Sequence, residues 1–336
     1  MRSARLYICL GNYQRGILNI SAVKIYDRSY WGILELNGND RSLFLHNQTT
    51  NQINFLKPGQ GCDVVFVNST GRTLDLATAY ITEESILILV SPNRHKFLMD
   101  WMDRYIFPMD KVTVTDRSPE LAIFTLLGSG CREFLEQFGI SNILDQPEAS
   151  HELVELEGIQ TRIAVGTGLG LTGYTLILPI AKASSLWRKL TEKGASPMSD
   201  QTWEQLRISQ GRPMPDQELT EDYNPLEAGL WRAISFNKGC YIGQETIARL
   251  NTYKGVKQRL WGLQLSQSVE PLTPIFLEGE KIGIVTSCIE TLQGAIGLGY
   301  IRTKAGGEGM TVNLGDVTAK VIAVPFLSHD YYDPSS

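Results

Sequence analysis

The chain of 336 residues is poor in the residues that build metal centres and disulfide frameworks. It holds five cysteines, Cys9, Cys62, Cys131, Cys240 and Cys288, an odd number at wide spacings with no CxxC pair. That pattern argues against a disulfide scaffold and against structural zinc, and it makes a reducing compartment the default. The four histidines, His46, His95, His151 and His329, include no HxxxH pair, so a histidine metal site has little support. No apolar run is long enough to cross a bilayer, and no membrane association is expected. A large charge excess is missing too. A net charge of −5 argues against a surface built around a nucleic-acid phosphate track, so no direct nucleic-acid partner is expected. What remains, 43% hydrophobic and 20% charged residues, describes a folded chain of two or three domains with a large core.

Residues 1–26 contain no acid and carry Arg2, Arg5, Arg15 and Lys24. Residues 1–21 read as an irregular arm or a short organelle presequence. From there strands and helices alternate without strict βαβ regularity, an α+β pattern. Trp31 to Leu36 reads as a strand ended by Asn37-Gly38, and Asp40 as the cap of a short helix through His46. Cys62–Val67 and Thr73–Ile81 read as strands joined at Asn68–Gly71. In the second of these, Leu74, Leu76, Thr78 and Tyr80 share one face, and Asp75, Ala77 and Ala79 the other. An acid beside two small residues is either solvent-facing or part of a surface that a ligand approaches. Beyond Lys257 the texture changes to short strands between glycine turns, the mark of an appended β-barrel over 256–328, with a tail at 329–336.

Gly168-Leu169-Gly170-Leu171-Thr172-Gly173 fits G-x-G-x-x-G, but a dinucleotide site needs that turn to open a helix. The strand-like Tyr174–Leu178 follows, which makes the segment a hairpin. The run Lys238-Gly239-Cys240-Tyr241-Ile242-Gly243-Gln244-Glu245 is harder to dismiss. Two glycines imply backbone positions that a side chain would obstruct. Gln244 to Leu250 reads as a helix, so Cys240 falls in the loop feeding its N-terminus. The helix end and Lys238 would both favour thiolate, which can attack an electrophile or ligate a soft metal. No histidine is local to act as a base, and the chain supplies no obvious set of four cluster ligands. One thiol fits a transient or shared ligand, or equally a small buried side chain. Trp203 and Arg207 lie four apart on one helix and can face one site.

The eight-residue run resembles the K-G-C-[aromatic]-x-G-Q-E signature of the YgfZ group of folate-binding proteins, relatives of the glycine-cleavage T-protein, an aminomethyltransferase. The likeness continues through Asn224-Pro225-Leu226-Glu227-Ala228-Gly229-Leu230, Phe44 to Asn51 and Asn68 to Gly71, about residues 22 to 326 in all. It implies a three-lobed GcvT-like body, here 22–255, with a central folate hole and a C-terminal barrel. It implies tetrahydrofolate or a one-carbon derivative as ligand. It also implies a role in making or maintaining iron–sulfur enzymes, including radical enzymes that modify tRNA, with assembly proteins and client enzymes as partners. Trp31 and Trp203 match the tryptophans lining the folate site, and Arg207 a folate-contacting arginine. Cys240 would be the working thiol and a transient cluster ligand, with no permanent metal. Lys238 would favour its ionised form, Gly239, Tyr241, Gly243 and Gln244 would shape the loop, and Glu245 would fix it.

The T-protein lacks the cysteine motif, and the sequence departs from it in two further places. The acid that reads the pterin edge is Thr175 here, and a pair of adjacent aspartates is reduced to Asp75 followed by Leu76. Two other readings therefore stay open. One is a folate-dependent aminomethyl or one-carbon transferase with Asp75 positioning the folate amine. The other is a non-catalytic folate-binding scaffold. The expected compartment is a bacterial cytoplasm, a cyanobacterial one included, or an organelle interior, plastid or mitochondrion.

Overall fold

The computed structural model describes residues 22–333 apart from Gln293. The arm at residues 1–21 lies outside them. Two antiparallel-rich sheets and a closed barrel make up the body. The first sheet has the order β11-β1-β7-β10-β9-β8. Its strands are β1 (Lys24–Asp27), β7 (Leu121–Leu127), β8 (His151–Leu156), β9 (Ile159–Val165), β10 (Gly173–Pro179) and the two-residue β11 (Ser196–Pro197). The second runs β3-β4-β5-β2-β6, with β2 (Gly32–Asn37), β3 (Gly61–Val67), β4 (Thr73–Ile81), β5 (Ser85–Val90) and β6 (Thr113–Asp116).

The two sheets meet face to face through Trp31, Ile33, Tyr80, Leu89, Ala164 and Ile177, all buried. Each covers its outer face with helices. The short α1 (Arg41–Gln48) and α2 (His95–Asp103) close the second sheet, placing Phe44, Leu98 and Trp101 in its core. The helices α3 (Cys131–Glu136) and α4 (Ala183–Glu192) close the first, placing Phe134, Leu186 and Leu190 in the other core. Full burial of one such aliphatic or aromatic side chain contributes about 1.5–3 kcal/mol. Next comes α5 (Asp200–Gln210), which starts where Ser199 Oγ accepts the Thr202 N–H and stops at Gly211 in the left-handed region, φ 86°. A last helix, α6 (Gln244–Thr252), leads into the barrel.

The barrel closes in the order β12-β15-β14-β13-β16-β17, from β12 (Gln258–Leu265) to β17 (Val317–Ile322), with β13 at Pro274–Leu277, β14 at Glu280–Thr291, β15 at Gly294–Arg302 and β16 at Thr311–Leu314. Closure leaves no free edge for another chain to pair with. The barrel packs on the second sheet and α6 through Leu260, Leu298 and Tyr300 against Val65, Leu76 and Ile247. The glycine-rich segment at 168–173 joins β9 to β10, which pair antiparallel from Tyr174 opposite Val165. It is a hairpin, and it opens no helix. Three strands escape the sequence reading, among them the two-residue β11. The β1 strand is only four residues long, and β8 sets two glutamates three apart among apolar residues before the tight Glu157-Gly158 turn, both at positive φ. Asp40 precedes α1 as expected, but its side chain accepts the Lys111 N–H at 2.8 Å and makes no cap bond.

Candidate functional site

A hole of about 570 Å³ opens between the two sheets and the barrel. Its wide part is bordered by Asn51, Cys62, Leu76, Arg232 and Phe326. Behind it lies a deep end of only about 10 Å³, bordered by Arg28, Trp31, Tyr80, Thr175 and Arg212, and Asp63, Glu148, Ala149 and Gly168 border both parts. The volume is that of a pocket for one organic ligand.

The deep end is built on Trp31. Its ring lies 4.7 Å from the Arg28 guanidinium and 4.9 Å from that of Arg212. Both arginines are buried, at 1% and 2% exposure, and among the described residues neither has a carboxylate in ion-pair range. Arg28 donates to Thr175 Oγ1 at 3.1 Å, and Arg212 to the carbonyls of Gly168 and Leu76. Burial lowers both pKa values, that of Arg28 to about 10. Among the described residues, the Nε of each arginine and the Trp31 Nε1 have no acceptor. Isolated buried charge is costly unless it is paired, so the enclosed pair of guanidiniums marks a candidate functional site.

The structure brings Trp31 to the hole and moves other expected site residues away from it. Trp203 lies one layer back, stacked on Tyr26 at 4.5 Å. The expected two-tryptophan sandwich exists, but the Arg28 guanidinium fills it, 5.4 Å from the Trp203 ring and 4.7 Å from Trp31. Arg207 is fully committed elsewhere. It donates to both oxygens of Glu204, to Glu218, to Gln217, to Ser287 of the barrel and to the Arg212 carbonyl. It clasps α5 to the barrel, and no N–H remains for a folate carboxylate. Asp75 is a correction of strand geometry. Leu76, Thr78 and Tyr80 face the hole, so the alternation turns Asp75 to the opposite side. There it is wholly buried and accepts the Ser91 N–H at 3.0 Å, and burial raises its pKa to about 6. It cannot position a folate amine from that place.

The cysteine motif lies outside the hole, and its residues first of all finish α1. A helix leaves its last carbonyls without partners. Thr49 Oγ1 donates to the Leu45 carbonyl, and the Ile242 N–H takes that of Asn47. Lys238 Nζ takes those of His46, Thr49 and Asn51 at 2.5, 2.6 and 2.7 Å. A cation there also suits the negative end of the helix dipole. Lys238 therefore spends its three N–H groups on carbonyls and does not serve Cys240 as expected. Burial pulls its pKa down to about 7, opposed by Cys62 of the hole wall. The same lysine lies 4.8 Å from the buried Tyr241 ring.

Cys240 is exposed. Gly243 precedes α6 at φ 79°, where a Cβ would stand 2.7 Å from the Asn68 carbonyl, so the glycine is required. Gly239 is different. A Cβ there would meet only His46 Nε2, at 3.8 Å, which is ordinary contact. Gln244 bonds back to the Tyr241 carbonyl through its backbone, and Glu245 is exposed in the first turn of α6, where its charge suits the helix N-terminus. A histidine does reach the motif after all. His46 comes from α1, about 190 residues away in sequence, with its Nδ1 accepting the Ile53 N–H. No spacing in the sequence points to it, nor to Arg28, Arg212 or Glu148.

Two facing sheets and a closed barrel around a ligand-sized hole define a three-lobed small-molecule-binding protein. The fold matches the crystal structure of the glycine cleavage system aminomethyltransferase T from Bartonella henselae at a TM-score of 0.82, with 19% identity, over 95% of this chain and 90% of that one. The GCVT N-terminal domain family matches residues 19–238, and the glycine cleavage T-protein C-terminal barrel domain family residues 258–328. The chain is 41% identical over 314 residues to the chloroplastic protein At1g60990 of Arabidopsis thaliana, provisionally named a transferase, across 93% of this chain and 73% of that protein. It is 28% identical over 317 residues to an aminomethyltransferase of Rubrobacter xylanophilus, across 92% of this chain and 84% of that enzyme. The chain belongs to the GcvT-like folate-binding family. No helix among the described residues is long and apolar enough to cross a membrane.

Proposed function

We propose that the chain is a YgfZ-type protein that binds tetrahydrofolate, or a one-carbon derivative, and supports the assembly or repair of iron–sulfur enzymes, including radical enzymes that modify tRNA. The folate occupies the wide part of the hole, next to the deep end that Trp31, Arg28 and Arg212 build. The observation that carries the reading is the separation of two features. The hole is walled by aromatic and cationic side chains, whereas the thiol of Cys240 stands exposed on a loop fixed by Lys238 and Gly243. A thiol at the surface can meet iron carried by another protein, which one sealed in the hole could not. Iron–sulfur assembly proteins and client enzymes are the partners. The chloroplastic relative supports a plastid interior, with a bacterial cytoplasm as the alternative.

A second reading, a folate-dependent one-carbon transferase, draws on the relatives' names and on the carboxylates of Asp63 and Glu148 in the hole. Complementation separates the two. Cells lacking their own YgfZ-type protein receive the wild-type chain, Cys240→Ala or Trp31→Ala. A labile iron–sulfur enzyme and tRNA methylthiolation are then assayed. Rescue by the wild type alone is expected. Rescue by Cys240→Ala as well would reduce the thiol to structure, and failure of all three folded proteins would favour the transferase.

A further inference from the structure

The segment that follows β17 leaves the barrel at the hole and ends on the cysteine loop. Pro325 and Phe326 border the wide part of the hole. The Phe326 N–H donates to the Gln210 carbonyl at the end of α5, and the Ser328 N–H to that of Gly229, each at 2.9 Å. The His329 carbonyl accepts from Arg259 of β12 at 2.7 Å, and the Tyr331 hydroxyl accepts the Val256 N–H at 3.2 Å. Tyr332 then reaches the motif. Its backbone N–H and carbonyl both pair with the Asn251 side chain of α6, at 2.9 and 3.2 Å. Its ring stacks on Phe236 at 5.0 Å and 11°, and its hydroxyl accepts the Asn237 Nδ2–H at 2.7 Å. Phe236 and Asn237 are the two residues that lead into Lys238-Gly239-Cys240.

That hold matters because the loop has little support of its own. Among the described residues, Asn237, Gly239 and Cys240 make no backbone-to-backbone hydrogen bond, and all three are exposed. Lys238 ties the inner side of the loop to α1, and Gly243 seats its far end on the Asn68–Gly71 turn. At 236–237 the tie is Tyr332. A segment with exposed backbone and few buried contacts opens at small cost, so a single tie decides how often it does. We propose that Tyr332 is a positioning residue for Cys240. Clamped to α6 through Asn251, it holds the outer side of the cysteine loop through Phe236 and Asn237, and so fixes where the thiol meets iron carried by another protein. The assignment rests on the reading of Cys240 as the working thiol and deepens it. The clamp belongs to the segment that lines the hole with Phe326, so the thiol and the hole are set against one frame.

The test attaches a nitroxide to Cys240 of the full chain carrying Cys9→Ser, Cys62→Ser and Cys288→Ser; Cys131 is wholly buried and stays. Spin-resonance spectra then report the motion of the loop itself. The mobile share of the label should rise about threefold with Tyr332→Phe, the shift that one neutral hydrogen bond sustains. With Tyr332→Ala, which loses the stack as well, it should rise about tenfold. Asn237→Ala removes the same bond from its other end, so combined with Tyr332→Phe it should mobilise the label no more than either change alone. Tyr331→Phe cuts a bond on the barrel side of the segment and should leave the spectrum unchanged. Circular dichroism like that of the wild type shows the variants to be folded. With the native cysteines in place, tRNA methylthiolation in the complementation assay should fall from wild type to Tyr332→Phe to Tyr332→Ala. A label that stays immobile in Tyr332→Ala, with or without a lower melting temperature, would overturn the clamp. A mobile label with full rescue would overturn the positioning role, because the thiol would work without it. Failure of the wild type to rescue would overturn the reading of function alone, since the spectra decide the clamp without it.

Discussion

Replacing Arg207 with alanine should lower the stability of the fold by about 3–5 kcal/mol, the usual cost of removing one partner from a buried ion pair. The side chain is 1% exposed, and its partner Glu218 is wholly buried. Without the guanidinium, Glu218 keeps only the Met214 N–H and a Ser287 hydroxyl that it shares with Gln217, and the Arg212 carbonyl loses its donor. Lysine at this position restores the charge but not the planar fork that reaches Glu204, Glu218 and the barrel together, so most of the loss remains. Urea unfolding of the variants measures it. A loss below about 1 kcal/mol, the scale of an exposed pair, would show that the clasp between α5 and the barrel is incidental.

The second large effect belongs to Lys238. Methionine there should cost about 3 kcal/mol, since three carbonyls at the end of α1 are left without a donor at roughly 1 kcal/mol or more each. The damage should be local in origin. Amide exchange should rise first in 41–51 and 237–243, the two segments the ammonium joins. Arginine should not rescue, because a planar guanidinium cannot direct three N–H bonds to carbonyls arranged around one nitrogen. If methionine is tolerated and exchange in both segments is unchanged, the lysine is not the cap of α1 and its place in the motif has another cause.

Much of the fold is legible in the sequence because alternation and glycine turns speak plainly. The strand at Thr73–Ile81 and the run of short strands beyond Lys257 fall where the pattern puts them. The site is legible only to the depth of one layer. Helical spacing correctly puts Trp203 and Arg207 on one face of α5, but it cannot say which layer that face meets. It meets Tyr26 and the barrel, with Arg28 between Trp203 and the hole. Strand alternation offers two faces for β4, and the hole lies on that of Thr78 and Tyr80 and not on that of Asp75. Glu148 and Arg212 stand in loops, where no period exists to read. The proximity of His46 to the cysteine motif is purely tertiary.

The guanidinium between two indoles has one more consequence. A flexible arginine that had to settle on Trp31 when a ligand arrived would lose its rotamer freedom at that moment, and the affinity would fall accordingly. Arg28 and Arg212 have already lost theirs in folding, held by Thr175, Gly168 and Leu76. A ring that enters the hole has only its own bonds to order, because the wall it meets is as fixed as the core behind it.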